Sequence, residues 1–195
     1  MESYKWAFTA YREGALFTAF DVETTGLNSG QDRIVEFGAV KFDRQGPVAR
    51  YSALINPEIP MPAAAGKVNG ITDAMLAGQP PIEETMPDFL GFIANTVIVA
   101  HNAPFDTGFV NESLARLYKK GYAPFRRLPN KTVDTLVLSR SVFPGYPGYS
   151  LQNLARSLGL QAENAHRALD DARLCMEIFI ACATRMMPVT PTSLK

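Results

Sequence analysis

The spacing of apolar and polar positions changes character near residue 56. Before it, residues 17–23 read as a strand that runs into Thr24-Thr25-Gly26, and residues 33–42, rich in β-branched and aromatic side chains, read as a second. Arg44-Gln45-Gly46-Pro47 is turn chemistry, so residues 48–55 are expected to complete an antiparallel meander. Beyond residue 56, Pro57, Pro60, Pro62, Pro80 and Pro81 punctuate short helical pieces, and 83–95 reads as a helix. Val97-Ile98-Val99-Ala100 is a continuous apolar run, the pattern of a strand buried on both faces. Pro104 suits the first turn of a helix that runs to Lys120 and stops at Gly121. Asp134 and Ser150 are placed to cap helices through Arg140 and Leu158, and an amphipathic helix spans 168–186. Three strands followed by helix–strand–helix alternation predict one α/β domain over residues 16–187, a mixed sheet covered by helices. Residues 1–15 are read as a lead-in without a clear period and 188–195 as a flexible tail.

Composition removes several alternatives. The 195 residues are 47% apolar and 19% charged, which is ordinary for a globular chain and ample for a core without disulfides. Nineteen basic residues balance nineteen acidic ones, which argues against coating long nucleic acid by bulk charge but not against gripping a strand end locally. Lys5, Arg12 and Glu13 interrupt the first twenty residues, so no export signal is expected, and no apolar run approaches a membrane span. Cys175 and Cys182 lie seven apart in one helix, about 10 Å by rise, too far for a bridge. They are expected to be core thiols, and the chain a cytoplasmic protein with no membrane partner.

The chemistry lies in four acids. Asp21 and Glu23, at i and i+2 of the first strand, share one face of the sheet, where two like charges need a cation between them. Alternatively the strand ends there and both are solvated at a turn. Asp106 shares a helix face with Phe109, Val110 and Leu117, although an acid in a first helical turn also suits the helix dipole. In the last helix Asp170, Arg173 and Glu177 make a solvated stripe by i+3 and i+4 pairing, whereas Asp171 lines up with Cys175, Ile178 and Cys182 on the apolar side. Four inward carboxylates suit hard divalent cations such as Mg²⁺ or Mn²⁺, and two histidines with two poorly placed cysteines do not make a closed zinc site. His166, five residues before Asp171, is either a surface histidine or a general base beside that site, since an ordinary imidazole titrates near pH 6.5.

These residues stand in three motifs. Phe20-Asp21-Val22-Glu23-Thr24-Thr25-Gly26-Leu27, His101-Asn102-Ala103-Pro104-Phe105-Asp106 and His166-Arg167-Ala168-Leu169-Asp170-Asp171-Ala172 resemble, in order and spacing, those of the DEDDh 3′→5′ exonucleases, the group of the proofreading (epsilon) subunits of bacterial DNA polymerase III and RNase T. Val68-Asn69-Gly70-Ile71-Thr72 and Asp134-Thr135-Leu136 add to the likeness, with Asn69 where histidine is often found. The resemblance implies a ribonuclease H-like fold with a five-stranded mixed sheet. It also implies two metal ions held by Asp21, Glu23, Asp106 and Asp171, with His166 as general base. Thr24, Leu27, Asn102 and Phe105 would line the terminal nucleotide's pocket, and nucleoside 5′-monophosphates would leave one by one from the 3′ end.

Three functions are compatible with this reading: a DNA 3′→5′ exonuclease in repair or proofreading, an RNA-trimming exoribonuclease, and a non-catalytic nucleic-acid-binding module. Residues 116–140 hold Arg116, Lys119, Lys120, Arg126, Arg127, Lys131 and Arg140 against the single acid Asp134, a candidate phosphate track or a solvated surface. With 24 residues after Asp171, most of them helical, a free-standing enzyme or a transient polymerase or repair partner is expected.

Overall fold

The computed structural model describes residues 4–162 and 166–187, so the tail read over 188–195 lies outside the described residues. Strands β1 (Phe17–Thr24), β2 (Ile34–Asp43) and β3 (Gly46–Leu54) form the antiparallel meander. On the other side of β1, β4 (Val97–Ala100) and β5 (Thr132–Asp134) add in parallel, giving one mixed sheet in the order β3-β2-β1-β4-β5. The pattern alone gives no sign of β5, because three residues are too few to display a period.

Helices α1 (Lys5–Arg12), α2 (Ala63–Asn69), α3 (Asp73–Leu76), α4 (Ile82–Ile93), α5 (Ala103–Lys119), α6 (Thr135–Val142), α7 (Leu151–Ser157) and α8 (Ala168–Met186) cover both faces. Side chains alternate across a strand. Phe17 and Ala19 of β1 therefore enter a core shared with α1, α6 and α8, while Phe20 and Val22 enter one shared with α4 and α5. Helix α1 departs from the patternless lead-in read from the sequence: Ala7, Phe8 and Tyr11 are buried, and the Tyr11 ring meets Phe17 and Phe179 edge-on at 5.7 and 5.4 Å. Two turns are too short for their apolar stripe to stand out between Lys5, Arg12 and Glu13. Among the described residues no helix is long and apolar enough to cross a membrane.

One glycine sets how closely α8 meets the sheet. Gly38 of β2 pairs with Asp21 of β1, and a Cβ on it would lie 2.0 Å from the backbone carbonyl carbon of Ala168. Both partners are backbone, so neither can swing aside. Gly38→Ala is expected to push the first turn of α8 off the sheet at a cost of roughly 1–3 kcal/mol. The shift also moves Asp171, so turnover falls together with the melting temperature; unchanged melting and turnover would mean the helix is held elsewhere.

Candidate active site

The acids gather at the carboxyl end of β1. Asp21 and Glu23 point to the α8 side of the sheet, and Asp171 stands on the first turn of α8. Asp21, Glu23 and Asp171 offer ligand oxygens that all lie within 4.8 Å of one another. Asp106 comes from the other side. Pairing of β1 with β4 ends at Ala19–Val99, and beyond it the N–H of Val22 donates to Asp106 Oδ1 at 3.1 Å. Helix α5 is aimed there by its start. Asn102 takes a left-handed conformation (φ 61°), its N–H donates to Asp134 Oδ1 at 3.1 Å, and Pro104 occupies the first turn. The same Asp134 oxygen caps α6 through the N–H of Leu136 at 2.9 Å.

Burial and mutual repulsion dominate the electrostatics. Asp21 is pushed well above the usual carboxylate range by burial first, then by the charges of Asp106, Glu23 and Asp171. Glu23 rises to about 8 through burial and Asp171, opposed by a hydrogen bond from Asn69. Asp106 rises to about 8 through burial, opposed by the Val22 N–H. Asp171 rises to about 6 through burial, opposed by the charge and backbone N–H of His166 and by Gln152, whose Nε2 donates to Oδ1 at 2.8 Å. Crowded carboxylates that gain protons for want of positive charge match the donor chemistry that hard cations take.

The sign of the resulting pH dependence is fixed. Groups whose pKa is raised by folding stabilise the native state below their unfolded values near 4, and that contribution is lost as pH rises through the folded values. The metal-free protein is therefore expected to melt at progressively lower temperature from about pH 5 to about pH 8.5, and Mn²⁺ or Mg²⁺ should reverse the trend by binding the native state. Thermal scans across that range decide it. A metal-free melting temperature that climbs with pH, or one indifferent to metal, contradicts the site.

The remaining residues singled out by sequence fall as follows. Thr24 is buried, its hydroxyl donating to Gly26 O at 2.6 Å. Leu27 is 87% exposed on the adjoining loop, Asn102 is exposed, and Phe105 is half-buried against Phe109 at 5.0 Å between ring centres. His166 is exposed in a turn just before α8, with φ 62°. His101 is structural: Nε2 meets Tyr149 O at 2.8 Å and, since a carbonyl only accepts, donates to it. Its Nδ1 meets Thr135 Oγ1 at 2.9 Å, and burial lowers its pKa.

Asp170 corrects the sequence reading. It is buried, not solvated, because Arg173 folds over it at 2.7 Å while also reaching Glu177 at 2.8 Å. The two cysteines are free, buried thiols. The basic run of 116–140 is largely engaged within the chain. Arg116 donates to Ser29 O at 2.6 Å, Lys120 to Glu83 at 2.8 Å, and Arg126, Lys131 and Arg140 lie over Tyr118, Trp6 and Tyr149. Arg127 lines a cleft with Pro104 and Asp134.

Comparison with known proteins agrees with this geometry. A family model described as exonuclease (RNase T) matches residues 18–179. The DNA polymerase III subunit epsilon of Treponema pallidum is 51% identical over 178 residues, covering 90% of this chain and 80% of its own length. The PolC-type DNA polymerase III of Clostridium perfringens is 39% identical over 162 residues, covering 83% of this chain but 11% of that much longer protein. Among solved structures, exonuclease X in complex with 5′ overhanging duplex DNA superposes with a TM-score of 0.68 at 27% identity, over 89% of this chain and 94% of its own.

Proposed function

The chain belongs to the RNase T family of 3′→5′ exonucleases, and from that premise we propose that it hydrolyses the terminal phosphodiester of single-stranded DNA, releasing nucleoside 5′-monophosphates. The observation that carries the reading is the meeting of Asp21, Glu23 and Asp171 within ligand distance of one another, with Asp106 beside them. These four carboxylates would hold two divalent ions, Mg²⁺ or Mn²⁺. When bound, such a pair supplies Lewis-acid stabilisation to the attacking and leaving oxygens.

The chain's own residues do the rest. His166, beside Asp171, accepts the proton of the attacking water. Gln152 and the His166 backbone hold Asp171 in one orientation, and Asn69 does the same for Glu23. Thr24, Leu27, Asn102 and Phe105 receive the terminal nucleotide. The apolar surfaces of Leu27 and Phe105 accept any base, because every base has a π-face. Arg127, which lines the cleft with Pro104 and Asp134, takes backbone phosphates of the incoming strand.

The Treponema relative is named as a DNA polymerase III subunit and is matched over 80% of its length, which favours DNA over RNA and proofreading beside a polymerase. The test is a time course on 5′-labelled single-stranded DNA and RNA of one sequence with Mn²⁺ or Mg²⁺. A ladder shortening by single nucleotides, faster on DNA, supports the reading; faster loss of RNA turns it into an exoribonuclease, and no degradation of either into a binding module.

A further inference from the structure

A fifth carboxylate lies beside the four: its charge bears on Asp21 and Glu23, but its oxygens are not among those that gather within ligand distance. Glu36 of β2 sits opposite Glu23 in the sheet register and is 2% exposed. Its oxygens are fully engaged by the start of α8. Arg167 Nη2 donates to Oε1 at 2.7 Å and Nε to Oε2 at 3.2 Å, and the backbone N–H of Ala168 also donates to Oε2, at 3.1 Å. Glu36 therefore caps α8 from another strand, through a two-pronged contact that only a guanidinium makes.

The residue before this clamp is His166, held in a left-handed conformation that non-glycine residues adopt only when their surroundings impose it. Those surroundings are visible on its C-terminal side. The His166 backbone hydrogen-bonds Asp171, Arg167 and Ala168 are fastened to Glu36, and the Arg167 carbonyl accepts from the N–H groups of Asp170 and Asp171 at 3.0 Å each. Glu36 is buried but the Arg167 side chain is 41% exposed, and a pair screened on one side in this way contributes little net stability. What this one adds is position, transmitted from the strand beside Glu23 to the backbone that carries the imidazole.

We propose that Glu36 and Arg167 are positioning residues for His166, a clamp that fixes the left-handed turn and thereby sets the imidazole against the acidic cluster. The proposal rests on the reading of His166 as proton acceptor given above. Neither residue touches substrate or the reacting atoms; both act through the turn.

The test is a double-mutant cycle. Arg167→Ala leaves Glu36 buried without its partner and loosens the first turn of α8, so it is paired with Glu36→Gln/Arg167→Met, which keeps an acceptor for the Ala168 N–H and leaves no unpaired charge. The double variant is expected to lose 10- to 100-fold in kcat, the range seen when supporting residues of a site are removed. KM and Mn²⁺ affinity, read by electron paramagnetic resonance, should stay within about threefold, and Arg167→Lys should recover part of the loss, keeping the charge but not the fork. In a His166→Ala background the same double change should alter kcat by less than about threefold, since the group being positioned is gone. The chain has two histidines, so imidazole NMR provides a second readout: the His166 signals shift or broaden in the double variant while those of His101 stay. An equal loss in both backgrounds overturns the positioning role and leaves the base assignment standing. Wild-type turnover by His166→Ala alone overturns the base assignment and the clamp's role with it.

Discussion

Asp21→Asn is expected to lower turnover by roughly 10³-fold or more while the metal-free protein folds as well as before, or better. The two effects have one cause. Burial raises the cost of Asp21's charge, and four other carboxylates (Asp106, Glu23, Asp171 and Glu36) repel it, so the neutral amide of nearly the same shape relieves repulsion that the native chain tolerates. The same substitution removes a candidate ligand oxygen from a set in which oxygens of Asp21, Glu23 and Asp171 lie within 4.8 Å of one another. Charge stabilisation by bound metal is worth several kcal/mol, hence the size of the loss. Turnover on a labelled oligonucleotide together with melting of the metal-free variant checks both halves. Lost activity with a lowered metal-free melting temperature would mean that Asp21 supports the fold rather than the chemistry.

His166→Ala should separate proton transfer from metal binding. Its side chain is exposed and the four carboxylates are untouched, so Mn²⁺ affinity is expected to stay near the wild-type value. Removal of a general base typically costs about 10²–10⁴-fold, and the loss should fall on kcat rather than KM. Single-turnover kinetics at saturating metal measure it. A variant that turns over normally assigns the proton to another acceptor, and one that no longer binds Mn²⁺ makes His166 a ligand.

Much of this site is legible in the sequence because it obeys two periods. A step of two puts Asp21 and Glu23 on one face of β1, and helical spacing separates inward Asp171 from its neighbours, so these acids stand out as candidates before any fold is known, although spacing alone leaves a solvated turn open for the first two. The same reasoning fails at Asp170, whose burial depends on Arg173 folding back over it, a contact that spacing reads only as a surface pair. It fails more completely at Glu36. The acid stands in a strand otherwise buried on both faces, and its partner lies 131 positions away, so nothing local says whether it is a flaw, a ligand or an anchor. Gln152 is missed, and Asn69 stands out only as a departure from a motif, for a related reason: an amide on a helix has no periodic meaning until the carboxylate it holds has been placed. Gly38 is read as an ordinary strand residue until the approach of Ala168 shows why no side chain fits. Short elements escape as well, since α1 and β5 have too few residues for a period to repeat.

Hydrolysis is proposed to depend on divalent ions held together by Asp21, Glu23, Asp106 and Asp171. Anomalous diffraction from crystals soaked in Mn²⁺ and a nucleoside 5′-monophosphate tests it most directly. Two strong peaks bonded to these carboxylates are expected, with the nucleotide phosphate beside them, and both should be lost in Asp21→Asn. Manganese bound elsewhere, or a site occupied by the nucleotide with no metal on these four side chains, would contradict it.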